Sequence, residues 1–343
     1  MNFKKILISI LCLTVSLQII GQNKQTTLIH AGTLLAIPGQ KPTSNQTIVI
    51  ENGMITAVHD GFKTSQDLKL DKAEIIDLKN QFVLPGLIDM HTHITDERDP
   101  TKNQHEWTTL SDEDLALRAI PYLKTTLDAG FTTIRNLGAD ANNINALKRA
   151  VNEKIIEGPR IIASTGAVSA SGGHGDFHGY RSEILNAFEP SVGICNGADD
   201  CRRAVRELVK QGADVIKITA TGGVLSNTAA GVGQQLTDDE LTAIVETATS
   251  LGRKVAAHAH AADGINAALK AGVKSIEHGS YLDDASVKLF VENDAYLVPT
   301  LLAGVWLSEE VETNKNIPPA IVEKIYQVVP VVEASFKRAL KGN

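Results

Sequence analysis

A chain of 343 residues, of which 43% are hydrophobic and 21% charged, is long enough for one large domain or two smaller ones with hydrophobic cores. Its formal net charge of -7 comes with no run rich in lysine and arginine. This charge distribution argues against nucleic acid as a partner and favours chemistry on a small molecule.

The N-terminal segment, residues 1–22, has the features of a secretory signal peptide in their usual order. Lys4 and Lys5 precede an apolar stretch that runs from Ile6 to Ile20, and a small residue follows it. We expect this segment to be cleaved and the mature protein to be secreted or periplasmic, without attachment to a membrane. An uncleaved membrane anchor is the alternative.

Two cysteines follow the signal peptide, Cys195 and Cys201, at the two ends of the sequence CNGADDC. An oxidising compartment would allow them to form a disulfide. Two free thiols in a surface loop are the alternative, because a disulfide requires that the two Cα atoms lie close together.

Residues 23–84 contain short β-strand patterns, such as TTLIHAG and QTIVIENGMITAVHDG. In the second of these, Asn52 and Gly53 separate two apolar runs, which is the strongest short-range signal for a hairpin. We predict a small β-sandwich module in this part of the chain.

Residues 85–343 alternate between short apolar strands and amphipathic segments of helical length, which is typical of parallel β/α units. Seven strands are predicted, with the sequences GLIDMHTH, FTTIRNL, RIIASTG, DVIKITATGG, KVAAHAH, SIEHG and AYLVPT. This pattern indicates the α/β class and a (β/α)8 TIM-like barrel, with seven strands present and the eighth missing. In such a barrel the chemistry lies at the C-terminal ends of the strands.

The segments between these strands carry helix signals. Thr237 and Glu240 have the spacing of a capping box, and Gly252 ends the helix that they begin. In the segment LSDEDLALRAIPYLKTTLDAGF, Pro121 is expected to interrupt the helix. After the seventh strand we predict one helical stretch, PPAIVEKIYQVVPVVEASFKRALKGN.

The first strand of the predicted barrel carries three polar side chains, Asp89, His91 and His93, at every second position of an apolar run. Side chains at alternate positions of a strand share one face, and in a barrel strand that face is the interior. Buried imidazoles need partners, and a divalent metal is a common partner for two neutral histidines. The alternative is a pair of hydrogen-bonded core histidines.

Other histidines also lie at or after the C-terminal ends of predicted strands. Of the ten histidines in the chain, five are at the C-terminal ends of the first, fifth and sixth strands: His91, His93, His258, His260 and His278. Two more, His174 and His178, lie in the sequence SGGHGDFHG that follows the third strand. Because the C-terminal ends of barrel strands form one rim, this distribution strengthens the prediction of a metal site.

Lys217 lies in the middle of the fourth predicted strand, among Val215, Ile216 and Ile218. A bare ammonium group is costly to bury there. Next to metal-binding histidines, a lysine carbamylated by CO2 accounts for the position, because it offers an anionic oxygen donor that bridges two metals. The alternative is a lysine whose stem is buried and whose ammonium group reaches water.

Four segments in this order, LPGLIDMHTH, IKITATGGVLS, AAHAH and IEHG, make the sequence similar to the amidohydrolase superfamily. Within it, the chain resembles the Xaa-Pro dipeptidase and imidazolonepropionase-like group from about Leu28 to its end. The resemblance implies these metal ligands: His91 and His93 for a buried ion, Lys217 as a bridge, and His258 and His278 for the second ion.

The resemblance also implies roles next to the metal. We take His258 as the ligand from the fifth strand, although His260 faces inward too, and we assign His260 and His174 to polarising or positioning the substrate. Zinc is the expected metal, as one or two ions, since the ligands are nitrogen and oxygen; manganese, iron and cobalt are the alternatives. The metal would activate a water for attack on an amide carbonyl.

Dipeptides are the substrates that the resemblance favours, including Xaa-Pro dipeptides and N-acyl amino acids, with a cyclic amide such as an imidazolone as the alternative. Tyr180 and Arg181, in the sequence SGGHGDFHGYRSE, are the candidates for binding a substrate carboxylate. The expected partner is therefore a small peptide or amide, and a homo-oligomer is left open.

One element of the family pattern has no counterpart in the sequence. The family has an aspartate at the end of the eighth strand that acts as general base, whereas the last aspartate here is Asp294, before the seventh strand. The eighth strand and the C-terminal strands that complete the small sheet module are missing as well. We therefore expect a C-terminally truncated amidohydrolase with impaired activity. A non-catalytic fragment, or a degenerate barrel that only binds, is the alternative.

Overall fold

The computed structural model describes residues 25–96, 109–186 and 191–342. The predicted signal peptide lies outside these residues. The chain divides into two compact units between Pro85 and Gly86. In the described ranges, no helix is both long enough and apolar enough to cross a membrane.

The first unit contains a four-stranded sheet. Its strands are β1 (Thr26–Leu34), β2 (Thr43–Glu51), β3 (Met54–Asp60) and β4 (Glu74–Val83). The strand order is β3-β2-β1-β4, with β1 antiparallel to β2 and parallel to β4. The second layer of the predicted sandwich is not among the described residues of this unit, so the sandwich stays a prediction.

The predicted hairpin at Asn52 and Gly53 is confirmed, and it joins β2 to β3. Both residues have positive φ, 52° and 80°, as a two-residue type I′ turn requires. Asparagine and glycine adopt this conformation at low cost, so the turn fixes the register in which Glu51 pairs with Met54.

The second unit contains two parallel sheets. Its strands are β5 (Leu87–Thr92), β6 (Phe131–Asn136), β7 (Arg160–Ala163), β8 (Ala167–Ala170), β9 (Ile194–Cys195), β10 (Val215–Thr219), β11 (Lys254–Ala259), β12 (Ser275–His278) and β13 (Tyr296–Val298). One sheet has the order β5-β6-β7, and the other has the order β13-β12-β11-β10-β8-β9.

Helices alternate with these strands. They are α1 (Asp112–Asp128), α2 (Ala141–Asn152), α3 (Ser182–Leu185), α4 (Ala198–Lys210), α5 (Asp238–Ser250), α6 (Ala262–Ala271), α7 (Asp284–Glu292), α8 (Leu301–Thr313) and α9 (Pro319–Lys341). The capping box predicted for α5 is present, because Glu240 accepts a hydrogen bond from the backbone N–H of Thr237 at 2.8 Å. Gly252, with a φ of 69°, follows the end of this helix as predicted.

The central strands bury their two faces against different neighbours. In β10, Ile216 and Ile218 are fully buried in a core shared with α4, α5 and α6. On the opposite face, Val215 packs with Leu137, which follows β6, and with Ala256 of β11. Because this second cluster joins residues from both sheets, the two sheets face a common interior.

All seven strands predicted for this part of the chain are present, and their parallel arrangement is that of the α/β class. The third is divided, since β7 pairs with β6 whereas β8 pairs with β10. Thr165, between the two pieces, has a positive φ of 61°. Closure of the two sheets into a complete barrel stays a prediction.

The predicted interruption of α1 at Pro121 is wrong. The helix runs without a break from Asp112 to Asp128. Proline removes the hydrogen bond to the carbonyl of Leu117, four residues earlier. The side chain of Leu117 is 65% exposed, so water reaches that turn of the helix and can bind the carbonyl.

The prediction of one helical stretch after the seventh strand is also wrong, because α8 precedes α9. It begins after Thr300, a residue with a left-handed φ of 47° and no capping hydrogen bond from its side chain. The apolar residues of its sequence, LLAGVWLSEEVET, are concentrated in the first half rather than spaced along one face. The usual periodic signal of an amphipathic helix is therefore weak here.

Cys195 and Cys201 form a disulfide, with Cα atoms 5.0 Å apart. Both residues are fully buried in the core shared with α4 and α5. Inside the loop that they close, Gly197 donates its backbone N–H to Oε1 of Glu240 at 2.6 Å. The connection from β9 to α4 is thus held by the disulfide that closes it and by a hydrogen bond to α5.

Removing this disulfide should lower the free energy of unfolding by about 2 kcal/mol, the loop-entropy value for a short crosslinked loop. The change is Cys195→Ala together with Cys201→Ala, because alanine leaves no thiol and adds no buried polar group. Chemical denaturation of the oxidised protein and of the double variant measures the difference. Wild-type protein treated with a reductant should match the variant, and equal stability of oxidised and reduced wild type would contradict the prediction.

Candidate active site

Six imidazoles lie together at the C-terminal ends of strands in the second unit. They form what we call the imidazole cluster: His91 and His93 at the end of β5, His174 after β8, His258 and His260 at the end of β11, and His278 at the end of β12. Neighbouring ring centroids are 4.2 to 5.3 Å apart, which makes the six rings one continuous group. The structure therefore brings together histidines from four separate parts of the chain.

His278 reaches the imidazole cluster through its backbone conformation. In β12, Ser275 and Glu277 face the interior, and strict alternation would direct His278 to the opposite side. Its φ is 73°, in the left-handed region that is costly for a residue other than glycine, and the ring comes to lie on the interior side. A hydrogen bond of 2.7 Å between Nδ1 and Thr300 Oγ1 holds the ring there.

Protein oxygens fix which ring nitrogen carries the proton. Carboxylate and carbonyl oxygens accept hydrogen bonds and cannot donate, so a ring nitrogen bonded to one of them must be protonated. The other nitrogen of that ring is then unprotonated, the form in which imidazole binds metals. Three rings are fixed in this way: His91 by Nδ1 to Glu277 Oε2 at 3.1 Å, His93 by Nδ1 to the Gly138 carbonyl at 3.2 Å, and His258 by Nε2 to the Gly222 carbonyl at 3.3 Å.

The two hydrogen bonds of Ser226 determine the tautomer of His174. Ser226 Oγ lies 3.1 Å from His174 Nδ1 and 3.0 Å from the carbonyl of Gly223. A hydroxyl has one proton, which goes to the carbonyl, so the hydroxyl accepts the proton of Nδ1 and Nε2 is unprotonated. Gly223 is required for this contact, since a Cβ at its position would lie 2.2 Å from the ring.

Burial keeps five of the six imidazoles neutral. It lowers the pKa of His91 to about 4 and the pKa values of His174 and His260 to about 3. The pKa values of His258 and His278 lie well below the usual value, again because of burial, and the neighbouring imidazoles add to the shift. At neutral pH every one of these rings is therefore uncharged.

An ion pair crosses the interior next to the imidazole cluster. Nη2 of Arg135, in β6, donates to Oε1 of Glu277, in β12, at 2.7 Å. The same guanidinium donates from Nη1 to Ser275 Oγ at 2.9 Å and from Nε to the carbonyl of Met90 at 2.7 Å. The side chains of Arg135 and Glu277 are 8% and 0% exposed. Since Glu277 also accepts the hydrogen bond of His91, the pair links β5, β6 and β12.

Lys217 lies in the interior on β10 and is 4% exposed. Burial lowers the pKa of its ammonium group to about 8; the charge of Glu277 opposes this shift and the charge of Arg135 supports it. For Glu277, burial favours the neutral acid, but the hydrogen bond from His91 and the charges of Lys217 and Arg135 outweigh it. The pKa of Glu277 therefore lies below its usual value, and this carboxyl group is ionised.

The remaining residues that the sequence singled out lie around the cluster. Asp89 is half-buried and accepts a hydrogen bond from a backbone N–H two residues on. His178 donates from Nε2 to a backbone carbonyl at 2.7 Å. Tyr180 is half-buried, whereas the side chain of Arg181 is 75% exposed and lies 4.0 Å from Glu183. Arg181 is thus a surface residue.

Sequence reasoning missed the ion pair and the groups that orient the rings. Arg135 and Glu277 lie in the predicted strands FTTIRNL and SIEHG, where each is a charge among apolar residues. Opposite charges in two strands of one barrel are paired when they are buried, and this signal could have found them. Ser226 gave no such signal, because it lies in a loop whose contacts depend on the fold.

The donor set suits a divalent cation. It consists of imidazoles with unprotonated nitrogens, the kind of donor that zinc and similar metals bind. Burial keeps five of them neutral, whereas His93 is exposed. Thr219 Oγ1, at the end of β10, is buried without a hydrogen-bond partner among the described residues. Within the same residues, no three His, Cys, Asp or Glu side chains are already arranged to hold a metal ion. The residues fit a metal by their chemistry, while their positions do not by themselves define its coordination.

Residues 82–326 match the amidohydrolase family. The chain belongs to this family. Among curated relatives, the ochratoxinase of Aspergillus niger is 32% identical over 289 residues, which are 80% of this amidohydrolase chain and 59% of the relative. The chain therefore spans less than two thirds of the length of the ochratoxinase that it matches.

Solved structures of similar proteins include three of stated function. A Xaa-Pro dipeptidase with bound methionine in the active site is 35% identical, with a TM-score of 0.86 over 93% of this chain and 77% of that one. A prolidase complexed with N-methylphosphonate-L-proline is 31% identical, with a TM-score of 0.82 over 93% of this chain and 76% of the prolidase. The A. niger ochratoxinase structure is 28% identical, with a TM-score of 0.80 over 93% of this chain and 74% of the ochratoxinase. These amidohydrolase neighbours imply the TIM-like barrel expected from the sequence.

Replacing Glu277 by leucine should destabilise the protein by about 3 to 5 kcal/mol, because Arg135 would stay buried without its carboxylate. Chemical denaturation measures the free energy of unfolding. Glu292→Leu is the matched control: its pair with Lys288 is on the surface, with side chains 51% and 76% exposed, and its loss should cost about 1 kcal/mol at most. A Glu277 variant as stable as this control would contradict the role of the ion pair.

The metal-free protein should lose stability as the pH falls below the usual histidine pKa of 6.5, because His91, His174 and His260 take up protons in the folded chain only near pH 4 or 3. Between these values the unfolded chain binds more protons than the folded chain, so the free energy of unfolding decreases as the pH decreases. The expected slope is about 1.4 kcal/mol per pH unit for each such histidine.

Denaturation series in the presence of a chelator, at pH values between neutral and mildly acidic, measure this slope. His260→Gln should reduce it by the contribution of one histidine, whereas His59→Gln, in the first unit, should leave it unchanged. The same slope in both variants would be evidence that the imidazole of His260 is not held neutral by burial.

Proposed function

We propose that this amidohydrolase is a metal-dependent hydrolase of amide bonds in dipeptide-like substrates, of the Xaa-Pro or N-acyl amino acid type. The observation that carries the proposal is the imidazole cluster. Protein oxygens hold four of its rings with one nitrogen unprotonated, and burial keeps five of the six rings neutral. Burying so many polar rings costs free energy, whereas neutral imidazoles are ligands that a divalent metal binds.

The residues that would hold the metal are those assigned from the sequence: His91, His93, Lys217, His258 and His278. The metal that we propose is zinc, as one or two ions, because zinc binds neutral imidazole nitrogen and anionic oxygen. When bound, it would lower the pKa of a water and polarise the scissile carbonyl.

Lys217 has the properties needed for carbamylation. Only a neutral amine reacts with CO2, and the pKa of about 8 gives this lysine a larger neutral fraction at physiological pH than an ordinary lysine has. The product carries a negative charge in place of a positive one. Carbamylation would therefore replace the repulsion from Arg135 by an attraction and the attraction to Glu277 by a repulsion, which a bound cation would offset.

His260 and His174 are the residues that we assign to positioning the substrate. His260 is oriented by a hydrogen bond from its backbone N–H to Thr221 Oγ1 at 3.0 Å and by one between Nδ1 and Ser280 Oγ at 2.7 Å. His174 is oriented through Ser226. Because both rings are fixed before a substrate arrives, each can form a hydrogen bond with the substrate without reorganisation.

Molecules bound to two neighbours support the choice of substrate class. One is methionine, in a Xaa-Pro dipeptidase, and the other is N-methylphosphonate-L-proline, in a prolidase. The first is an amino acid and the second is a derivative of one, and both carry a free carboxylate, as dipeptides and N-acyl amino acids do. A cyclic amide is the alternative substrate, and a barrel that binds without turnover is the alternative function.

We also propose an oxidising compartment for the protein, secreted or periplasmic. The disulfide between Cys195 and Cys201 supports this location, because such bonds persist there and are rare in the cytosol. Small extracellular peptides would then be the natural source of substrates.

Hydrolysis by the purified, zinc-loaded protein tests the proposed function, with Xaa-Pro dipeptides, N-acetyl amino acids and a cyclic amide as substrates. We expect slow turnover of the acyclic amides, in keeping with the impaired activity expected from the sequence. Turnover should be lost on treatment with a chelator and recovered when zinc is returned. His258→Asn should lower kcat/KM by at least about 100-fold and reduce the bound metal, because removing a ligand costs more than the 10- to 100-fold lost when a group that supports a ligand is changed. Metal content is measured on the same samples.

His59→Asn, in the first unit, is the matched control and should change neither activity nor metal content. Turnover of the cyclic amide alone would favour the alternative substrate. Zinc binding without turnover of any amide would favour the binding protein. Activity that survives chelation, in protein without bound metal, would contradict metal dependence.

A further inference from the structure

Lys324, in α9, has a buried ammonium group close to the imidazole cluster. The residue is 4% exposed, and Nζ donates to the carbonyls of Gly223 and Ser226 at 2.8 and 2.6 Å. These carbonyls belong to the loop in which the Ser226 hydroxyl accepts the proton of His174. Ser226 therefore lies between the ammonium group of Lys324 and the ring of His174.

This ammonium group has no carboxylate partner in the part of the chain that the structure describes. A lysine has three N–H donors, and the protein takes up two of them with uncharged carbonyl acceptors. Burial lowers the pKa of Lys324, as expected for a cation that has lost water without gaining an anion. A buried positive charge without a counter-ion favours the binding of an anionic ligand.

Positive charge predominates around the imidazole cluster. Arg135, Lys217 and Lys324 are 7%, 4% and 4% exposed. The carboxylate that faces them, Glu277, is already engaged by Arg135 and His91. Even with Lys217 carbamylated, Lys324 would have no anion of its own.

Two carboxylates on the helices next to Lys324, those of Glu310 and Glu333, are engaged elsewhere. Glu310, buried in α8, accepts a hydrogen bond from Asn314 at 2.6 Å. Glu333, in α9, pairs with Lys337 on the surface, where both side chains are more than half exposed. Neither is within ion-pair distance of Lys324, so the missing negative charge would have to come from a ligand.

The charge of Lys324 reaches the two rings assigned to positioning the substrate. Burial is the main cause of the low pKa values of His174 and His260, and the charge of Lys324 adds to it. A ligand that contacts these rings would therefore lie within the field of the ammonium group. Arg181, the candidate from the sequence, is by contrast 75% exposed.

We propose that Lys324 determines substrate specificity by binding the carboxylate of a substrate next to His174. The donor is the third N–H of the ammonium group. The site would then select amides that carry a free carboxylate, such as dipeptides and N-acyl amino acids, over uncharged amides. The proposal rests on the amide hydrolysis proposed above and names the group that the site recognises in its substrate.

Lys324→Met tests this proposal with a matched pair of substrates, N-acetyl-L-methionine and N-acetyl-L-methioninamide, by release of acetate from the zinc-loaded protein. In the wild type, kcat/KM for the acid should exceed kcat/KM for the carboxamide. The variant should lose about 10- to 100-fold on the acid, the range for a charged hydrogen bond, and little on the carboxamide. The ratio of the two values does not depend on the fraction of variant that is folded.

Two further variants serve as controls. Lys337→Met removes an exposed lysine of the same helix and should keep the wild-type ratio. Lys324→Arg keeps the positive charge and should keep the preference for the acid. An equal loss on both substrates in Lys324→Met would overturn the proposal, because it would mean that Lys324 only holds the loop.

Binding measurements distinguish the proposed role of Lys324 from the proposed hydrolysis. Calorimetry with the acid and the carboxamide requires no turnover, and the wild type should bind the acid more tightly while Lys324→Met loses that preference. Wild-type protein that prefers the acid but hydrolyses neither compound would contradict the proposed function and support the role of Lys324. Wild-type protein without a preference for the acid would overturn the role of Lys324, whatever its turnover.

Discussion

The ion pair between Arg135 and Glu277 is the interaction on which the candidate site depends. It ties β6 of one sheet to β12 of the other across the interior, and through Glu277 it also sets the orientation of His91. A buried guanidinium and a buried carboxylate are each costly alone, so neither can be lost without the other. Two of the strands that the pair links through its hydrogen bonds, β5 and β12, lead to two further rings of the imidazole cluster, since His93 directly follows β5 and His278 ends β12.

The strands and most of the helices could be predicted because their patterns are local. In β10, the alternation of Val215, Lys217 and Thr219 with two isoleucines identifies both faces of the strand within five residues. The division of the third strand could not be predicted, because it depends on pairing between Ala167 and Lys217, which are far apart in the sequence. Helix α8 was missed for a different reason: its apolar residues do not follow a helical period, and its place is decided by packing against α9.

The candidate site could be predicted in its residue types but not in its hydrogen bonds. Histidines recur at the ends of strands, and this recurrence is visible in the sequence. Which nitrogen a ring presents depends on oxygens supplied by loops, such as the Gly222 carbonyl and the Ser226 hydroxyl, and long-range packing brings these oxygens into place. His278 joins the others only through a positive φ that its surroundings impose. The contact between Lys324 and the loop after β10 likewise depends on the fold, so the sequence could not indicate it.

Helix α9 contacts two loops that follow different strands. Lys324 binds carbonyls of the loop after β10, and Ser335, about three turns further along, donates to the carbonyl of Gly279 at 2.6 Å and accepts from the backbone N–H of Leu282 at 3.0 Å, after β12. One helix thus sets the spacing between both loops. Substitutions along this helix would therefore change the distance between the two loops without replacing any histidine, which gives evolution, or an engineer, a way to reshape the surroundings of the imidazole cluster from a position outside it.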